Sequence, residues 1–174
     1  MTHKRAFGRF DLQDAGVKGM IEEVFSIELP VGERLVINKN RMTGKRPDSK
    51  RLTIVTGIHG NEFEGQFVCF EVIRRIMTDK EKLTGTVDVY PALNPLGLDV
   101  AARMIPRQNL DLNGIFPGKE SGTTMERVAA AIVRDISGAD MCLDVHASDS
   151  FVKEIPQVRV NEKFADNSFL LPDF

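Results

Sequence analysis

The chain of 174 residues contains no tryptophan, one tyrosine, two cysteines and three histidines. Each scarcity excludes something. Cys69 and Cys142 lie in apolar segments without C-x-x-C spacing, so they read as small buried hydrophobes and not as a disulfide framework or thiolate metal site. No apolar run approaches the roughly 20 residues of a membrane-spanning helix. A net charge of −2 supplies no field for nucleic acid or an anionic membrane, and neither is expected as a partner. The N-terminal MTHKRAFGRFDLQDAG has no apolar segment behind its basic residues. That argues against a secretory leader and points to the cytoplasm.

What is present is ordinary for one soluble domain: 42% apolar and 28% charged residues, enough chain to bury a core. Residues 20–37, MIEEVFSIELPVGERLVI, predict two strands joined by a turn at Pro30–Gly32. The basic stretch KNRMTGKRPDSKR at 39–51 contains Gly, Pro and Ser and reads as a solvated loop. Leu52–Thr56 is short, apolar and β-branched, the pattern of a buried strand. A helix is expected at about 62–77. Glu64, Glu71, Arg74, Arg75 and Thr78 share one arc of it, with Val68, Cys69, Val72, Ile73, Ile76 and Met77 on the other side.

TVDVYPAL at 86–93 is the next strand, stopped by Asn94-Pro95. Residues 94–122 then form a long aperiodic segment, a length that in a compact domain marks function or disorder. Thr123-x-x-Glu126 matches a capping box opening a helix to Ile136, closed by Ser137-Gly138. ADMCLDVH at 139–146 is a further buried strand, and QVRV at 157–160 a candidate last one. The order β-β-β-α-β-loop-α-β implies an α/β sandwich around a mixed, mostly parallel sheet, with antiparallel strands at its N-terminal edge.

Two of the three histidines stand at strand ends beside acidic residues. His59 and Glu62 follow the strand ending at Thr56, and His146 ends the strand at 139–146. Two imidazoles and one carboxylate are a recognised catalytic zinc set that leaves a position open. Asp144, two residues before His146, could orient that ring through its second nitrogen. An isolated H-x-x-E recurs by chance in many chains, and a histidine ending a strand is commonly structural. The grouping carries the argument, not either part.

Three segments then occur in order: GIHGNEFEG, NPLGLDVAARMIPRQNLDLNGIFPG and DVHASDS. Together they resemble the succinylglutamate desuccinylase/aspartoacylase family, deacylase relatives of the zinc carboxypeptidases, over about residues 20–160. The resemblance implies a zinc-carboxypeptidase-like three-layer α/β/α fold. It also implies one Zn²⁺ per chain held by His59, Glu62 and His146, with Asn61 and Asp144 behind them. It makes Arg103, nine residues after Asn94, the arginine beside the scissile carbonyl. Read alone in AARMIPR that side chain is solvent-facing, and Arg107, four residues on, is its rival. Asn113 would hold a substrate carboxylate, with Arg107 as a further basic contact. The residue after it is Gly114, where the family pattern has arginine. The implied activity is hydrolysis of an N-acyl amino acid or a similar small molecule.

A zinc hydrolase of this kind also needs a general base. In the resembled family it lies well downstream of D-x-H, and family members add a β-rich C-terminal domain. No glutamate here stands in a comparable context, since Glu154 and Glu162 follow His146 too closely. Residues 1–174 are therefore expected to be the N-terminal part of a catalytic domain. Two other readings remain: a metal-binding fragment without turnover, and a zinc carboxypeptidase acting on peptides. The oligomeric state stays open, a homo-oligomer included.

Overall fold

The computed structural model describes residues 21–29, 32–148 and 152–159. Five strands and three α-helices follow one another along the described residues: β1 (Ile21–Glu28), β2 (Arg34–Thr43), β3 (Arg51–Thr56), α1 (Glu64–Thr78), β4 (Thr86–Tyr90), α2 (Pro95–Asp99), α3 (Thr124–Ile136) and β5 (Met141–Val145). They form one sheet in the order β1-β2-β4-β3-β5. No helix among the described residues is long and apolar enough to cross a membrane.

The sheet is mixed, and the expectation of a mostly parallel one is corrected. β1/β2 and β2/β4 pair antiparallel, β4/β3 and β3/β5 parallel. The reason lies in the connections. Parallel neighbours need a crossover of a dozen or more residues, which α1 and α3 supply. The links after β1 and β2 are too short for a crossover, so those strands can only reverse direction.

Alternation along the strands divides the core in two. Val55 and Tyr90 join Leu35, Ile37 and the α3 residues Met125, Val128, Ala129 and Ile132. Ile54, Val87 and Val89 point the other way and pack with Met42 and with Cys69, Val72, Ile73 and Ile76 of α1. Adjacent residues of β3 and β4 thus face different helices. The capping box of α3 forms as the sequence predicts, with Glu126 N–H donating to the Thr123 hydroxyl and Thr123 N–H to the Glu126 carboxylate.

β2 runs on through Thr43, into the stretch expected to be a solvated loop. Lys39 is only 2% exposed there. Its Nζ donates to both oxygens of Asp135, at 2.8 and 2.6 Å, and Tyr90 OH donates to the same carboxylate. Arg41 binds the fully buried Asp88 through two 2.7 Å hydrogen bonds, which hold its guanidinium pKa raised. Arg51 Nε lies 3.5 Å from the same carboxylate. Lys39 is buried and Arg41 and Arg51 half-buried because each meets a distant acid, whereas Lys45, Arg46 and Lys50 stay exposed in the loop that follows β2.

Three smaller expectations are also corrected. Cys142 is exposed, because β5 ends the sheet and its outer edge has no neighbouring strand among the described residues. Val68 of α1 is 41% exposed, and Phe63, Phe67 and Phe70 form an outward stripe. Gln157–Arg159 forms no strand, having no partner among the described residues, while Val160 and part of the Pro30–Gly32 turn lie outside them. The aperiodic 94–122 segment is anchored, with Ile105 and Leu112 each 1% exposed in the α3-side core.

Candidate metal centre

β3 and β5 run parallel, so their C-terminal ends meet on one side of the sheet. The Thr56 hydroxyl donates to the Val145 carbonyl at 2.8 Å and ties those ends together. Gly57 turns the chain at φ 69°, a conformation that glycine adopts freely. The turn carries His59 and Glu62 inward, 3% and 5% exposed. His146 enters from β5 with its ring centroid 5.0 Å from that of His59.

The donor atoms converge on one carboxylate. His59 Nδ1 lies 2.7 Å from Glu62 Oε1, and His146 Nδ1 lies 3.1 Å from Glu62 Oε2. Ala147 N–H donates to Oε2 at 2.9 Å, fixing the carboxylate. One donor atom from each of His59, Glu62 and His146 falls within 4.8 Å of the other two. Each ring turns its far nitrogen to an aspartate: His59 Nε2 to Asp111 Oδ1 and His146 Nε2 to Asp144 Oδ2, at 3.2 and 3.1 Å. With Nε2 donating outward, each Nδ1 keeps a lone pair for a cation, the usual second layer behind imidazole ligands. The Asp144 hydrogen bond also raises the His146 pKa, against an opposing contribution from burial.

Arg103 reaches the rim. Its Nη1 is 3.2 Å from Glu62 Oε1, and Nη2 is 3.9 Å from Asp111 Oδ2, with the side chain 47% exposed. Arg107 is exposed at φ 65°, beside a turn closed by the Ile105–Leu110 bridge. The Arg107 and Asn113 side chains make no hydrogen bond or ion pair with the triad among the described residues. Asn113 instead donates its backbone N–H to Asp111 Oδ1 at 2.9 Å. Asn61 sits half-buried between His59 and Glu62 in the chain. The residue that the sequence reading missed is Asp111. It belongs to the quoted DLN motif, but nothing local says that its carboxylate turns to a histidine 52 positions away.

Comparison with known proteins follows the same lines. The succinylglutamate desuccinylase/aspartoacylase catalytic domain matches residues 48–169. The N-alpha-acetyl-L-2,4-diaminobutyric acid deacetylase of Halomonas elongata is 27% identical over 113 residues, which are 64% of this chain and 32% of that enzyme. An aspartoacylase family protein from Mesorhizobium loti superposes with a TM-score of 0.61 at 27% identity, over 72% of this chain and 40% of its own. A metallo-carboxypeptidase from Burkholderia cenocepacia shares the fold at 16% identity with a TM-score of 0.58, over 79% of this chain and 39% of its own. The chain thus spans about a third of the curated deacetylase and two fifths of these solved chains. The family match covers most of the chain and all three convergent donors, and the chain belongs to the succinylglutamate desuccinylase/aspartoacylase family.

Proposed function

We propose that this chain is the metal-bearing part of a zinc-dependent deacylase that hydrolyses the amide bond of an N-acyl amino acid or related small molecule. The observation that carries the reading is the convergence of two imidazole Nδ1 atoms on the buried Glu62 carboxylate, each ring backed by an aspartate. Two nitrogens and a carboxylate oxygen fit Zn²⁺. His59, Glu62 and His146 would hold one ion per chain. When bound, zinc supplies Lewis acidity toward an amide carbonyl and toward water. In this reading the sheet with α1 and α3 on its two faces is part of a carboxypeptidase-like three-layer domain, residues 1–174 being its N-terminal part.

The chain's own residues do the positioning. Asp111 and Asp144 fix both ring orientations, and Asn61 stands with Asp144 among the supporting residues. Arg103 places a permanent positive charge at the open rim, where an amide oxygen gaining negative charge would be stabilised. In a form that turns over substrate, Arg103→Ala is expected to lower kcat by about 10²–10³ with unchanged zinc content. An equal loss from Arg107→Ala, with Arg103→Ala near wild type, would transfer the role to Arg107.

Asn113 and Arg107 are the proposed contacts to a substrate carboxylate, without the planar fork an arginine at 114 would add. Gly114 has no positive φ, and a Cβ there would meet nothing within 4 Å. An arginine can therefore be built in. Gly114→Arg is expected to raise the preference for an N-acyl amino acid over its neutral amide by about 10–100-fold, the worth of one charged hydrogen-bonded contact. The unmodified protein should discriminate weakly. A strong preference for the acid before substitution, in kcat/KM for the pair, would show that another residue already clamps the carboxylate.

One observation favours a second reading, metal binding without turnover. The acidic side chains that contact the histidines, Glu62, Asp111 and Asp144, are each engaged by an imidazole. Among the described residues, no further carboxylate contacts the triad to act as general base. Hydrolysis of N-acyl amino acids by this chain, compared with a longer form carrying further family sequence, separates the two readings.

A further inference from the structure

Two arms meet at the candidate centre, the 57–62 turn with His59 and Glu62 and the 94–103 turn that delivers Arg103. They are knotted backbone to backbone. Asn94 N–H donates to the Gly57 carbonyl at 2.7 Å, Gly60 N–H to the Ala102 carbonyl at 3.1 Å, and Ala102 N–H to the Gly97 carbonyl at 2.8 Å. The Gly60–Ala102 bond joins the residue after His59 to the residue before Arg103. The arms touch so closely that a Cβ on Gly60 would lie 2.0 Å from the Gly97 carbonyl carbon. Only glycine at position 60 allows that approach, and a Cβ on Gly97 would in turn meet the Asn94 side chain and the Ala102 carbonyl.

Asn94 sits at the centre of the knot, 3% exposed. Its Oδ1 accepts from Gly97 N–H at 2.9 Å, holding Gly97 where Gly60 must rest on it. Its Nδ2 is buried without a hydrogen-bond partner among the described residues, and a Cβ on Gly97 would come within 2.4 Å of it. An orphaned buried amide has a cost, tolerated here with the side chain locked in one orientation. We infer that Asn94 is a positioning residue for the metal centre: through Gly97 and Gly60 it fixes the His59–Glu62 turn and the Arg103 arm as one unit. It contacts neither the ion nor substrate. The inference rests on the metal reading above and adds a residue and a route to it.

The test is titration of the full chain with Co²⁺, read by visible absorption, and with Zn²⁺ by competition. Asn94→Ala removes the acceptor for Gly97 N–H, and zinc affinity is expected to fall by about 10–100-fold, as for other supporting residues behind a metal, with an altered Co²⁺ spectrum. Asn94 is the N-cap of α2, and Asn94→Ser keeps an acceptor at that position and should restore most of both. Circular dichroism of the metal-free variants confirms folding. If the alanine variant does not fold, Asn94→Gly serves, since glycine is tolerated at caps and also lacks the acceptor. A variant with lowered thermal stability but wild-type zinc affinity and Co²⁺ spectrum overturns the inference, because Asn94 would then be structural only. A wild-type chain that takes up neither ion overturns the metal reading itself.

Discussion

In the proposed zinc centre, replacing either His59 or His146 with alanine is expected to lower the zinc content of protein purified without chelator or added metal to a small fraction of that of the unsubstituted chain. Each ring contributes one of the three converging donors, and the two that remain cannot close a tetrahedral site. His146 is the cleaner variant because its side chain is 37% exposed, whereas His59 at 4% leaves a buried hole on removal. Asp111→Ala acts one layer further out and should weaken zinc binding by about 10–100-fold, without abolishing it. Elemental analysis of the four proteins side by side is the measurement. Full zinc in both histidine variants would place the ion elsewhere.

Asp88→Ala is expected to be the most destabilising single change on the side of the sheet that faces α3. Asp88 is fully buried and receives Arg41 in a bidentate pair, with Arg51 at 3.5 Å and Lys39 at 3.8 Å. Removing it leaves three cations with less than their complement of negative charge. Breaking a buried pair in this way costs about 3–5 kcal/mol. At roughly 2–4 °C per kcal/mol for a chain of this size, the thermal midpoint should fall by about 6–20 °C. Replacing Asp88, Arg41 and Lys39 together by apolar residues of similar volume should cost much less, since such networks tend to break even against packed hydrophobes. A loss below about 2 °C in Asp88→Ala would show that water already solvates the cluster.

How far the sequence reached can be seen residue by residue. Leu52–Thr56 and the 86–93 stretch were legible as strands because both are short and rich in β-branched residues, Thr53, Ile54, Val55 and Thr56 in the first and Thr86, Val87 and Val89 in the second, a property of the segment itself. The α3 start was legible because a capping box is made within four residues. His59 and Glu62 were legible as a pair because one tight turn presents both. Joining them to His146 required only that two strand ends lie on one side of a sheet, which parallel connections ensure.

Tertiary structure alone decided the remainder, for a common reason. Periodicity says which face a residue occupies, not what lies opposite it. Lys39 and Arg41 looked solvated because their partners, Asp135 and Asp88, are 96 and 47 positions away. Asp111 was one acidic residue of the aperiodic 94–122 segment until the fold set it against His59. Cys142 looked buried because its strand is apolar, and exposure follows from the place of β5 at the end of the sheet. The even division between parallel and antiparallel pairing came from the short links around β2. Local sequence determined which residues could bind a metal and which segments could form the sheet. The fold decided which charges met, because a buried charge is stabilised only by the partner that folding brings to it.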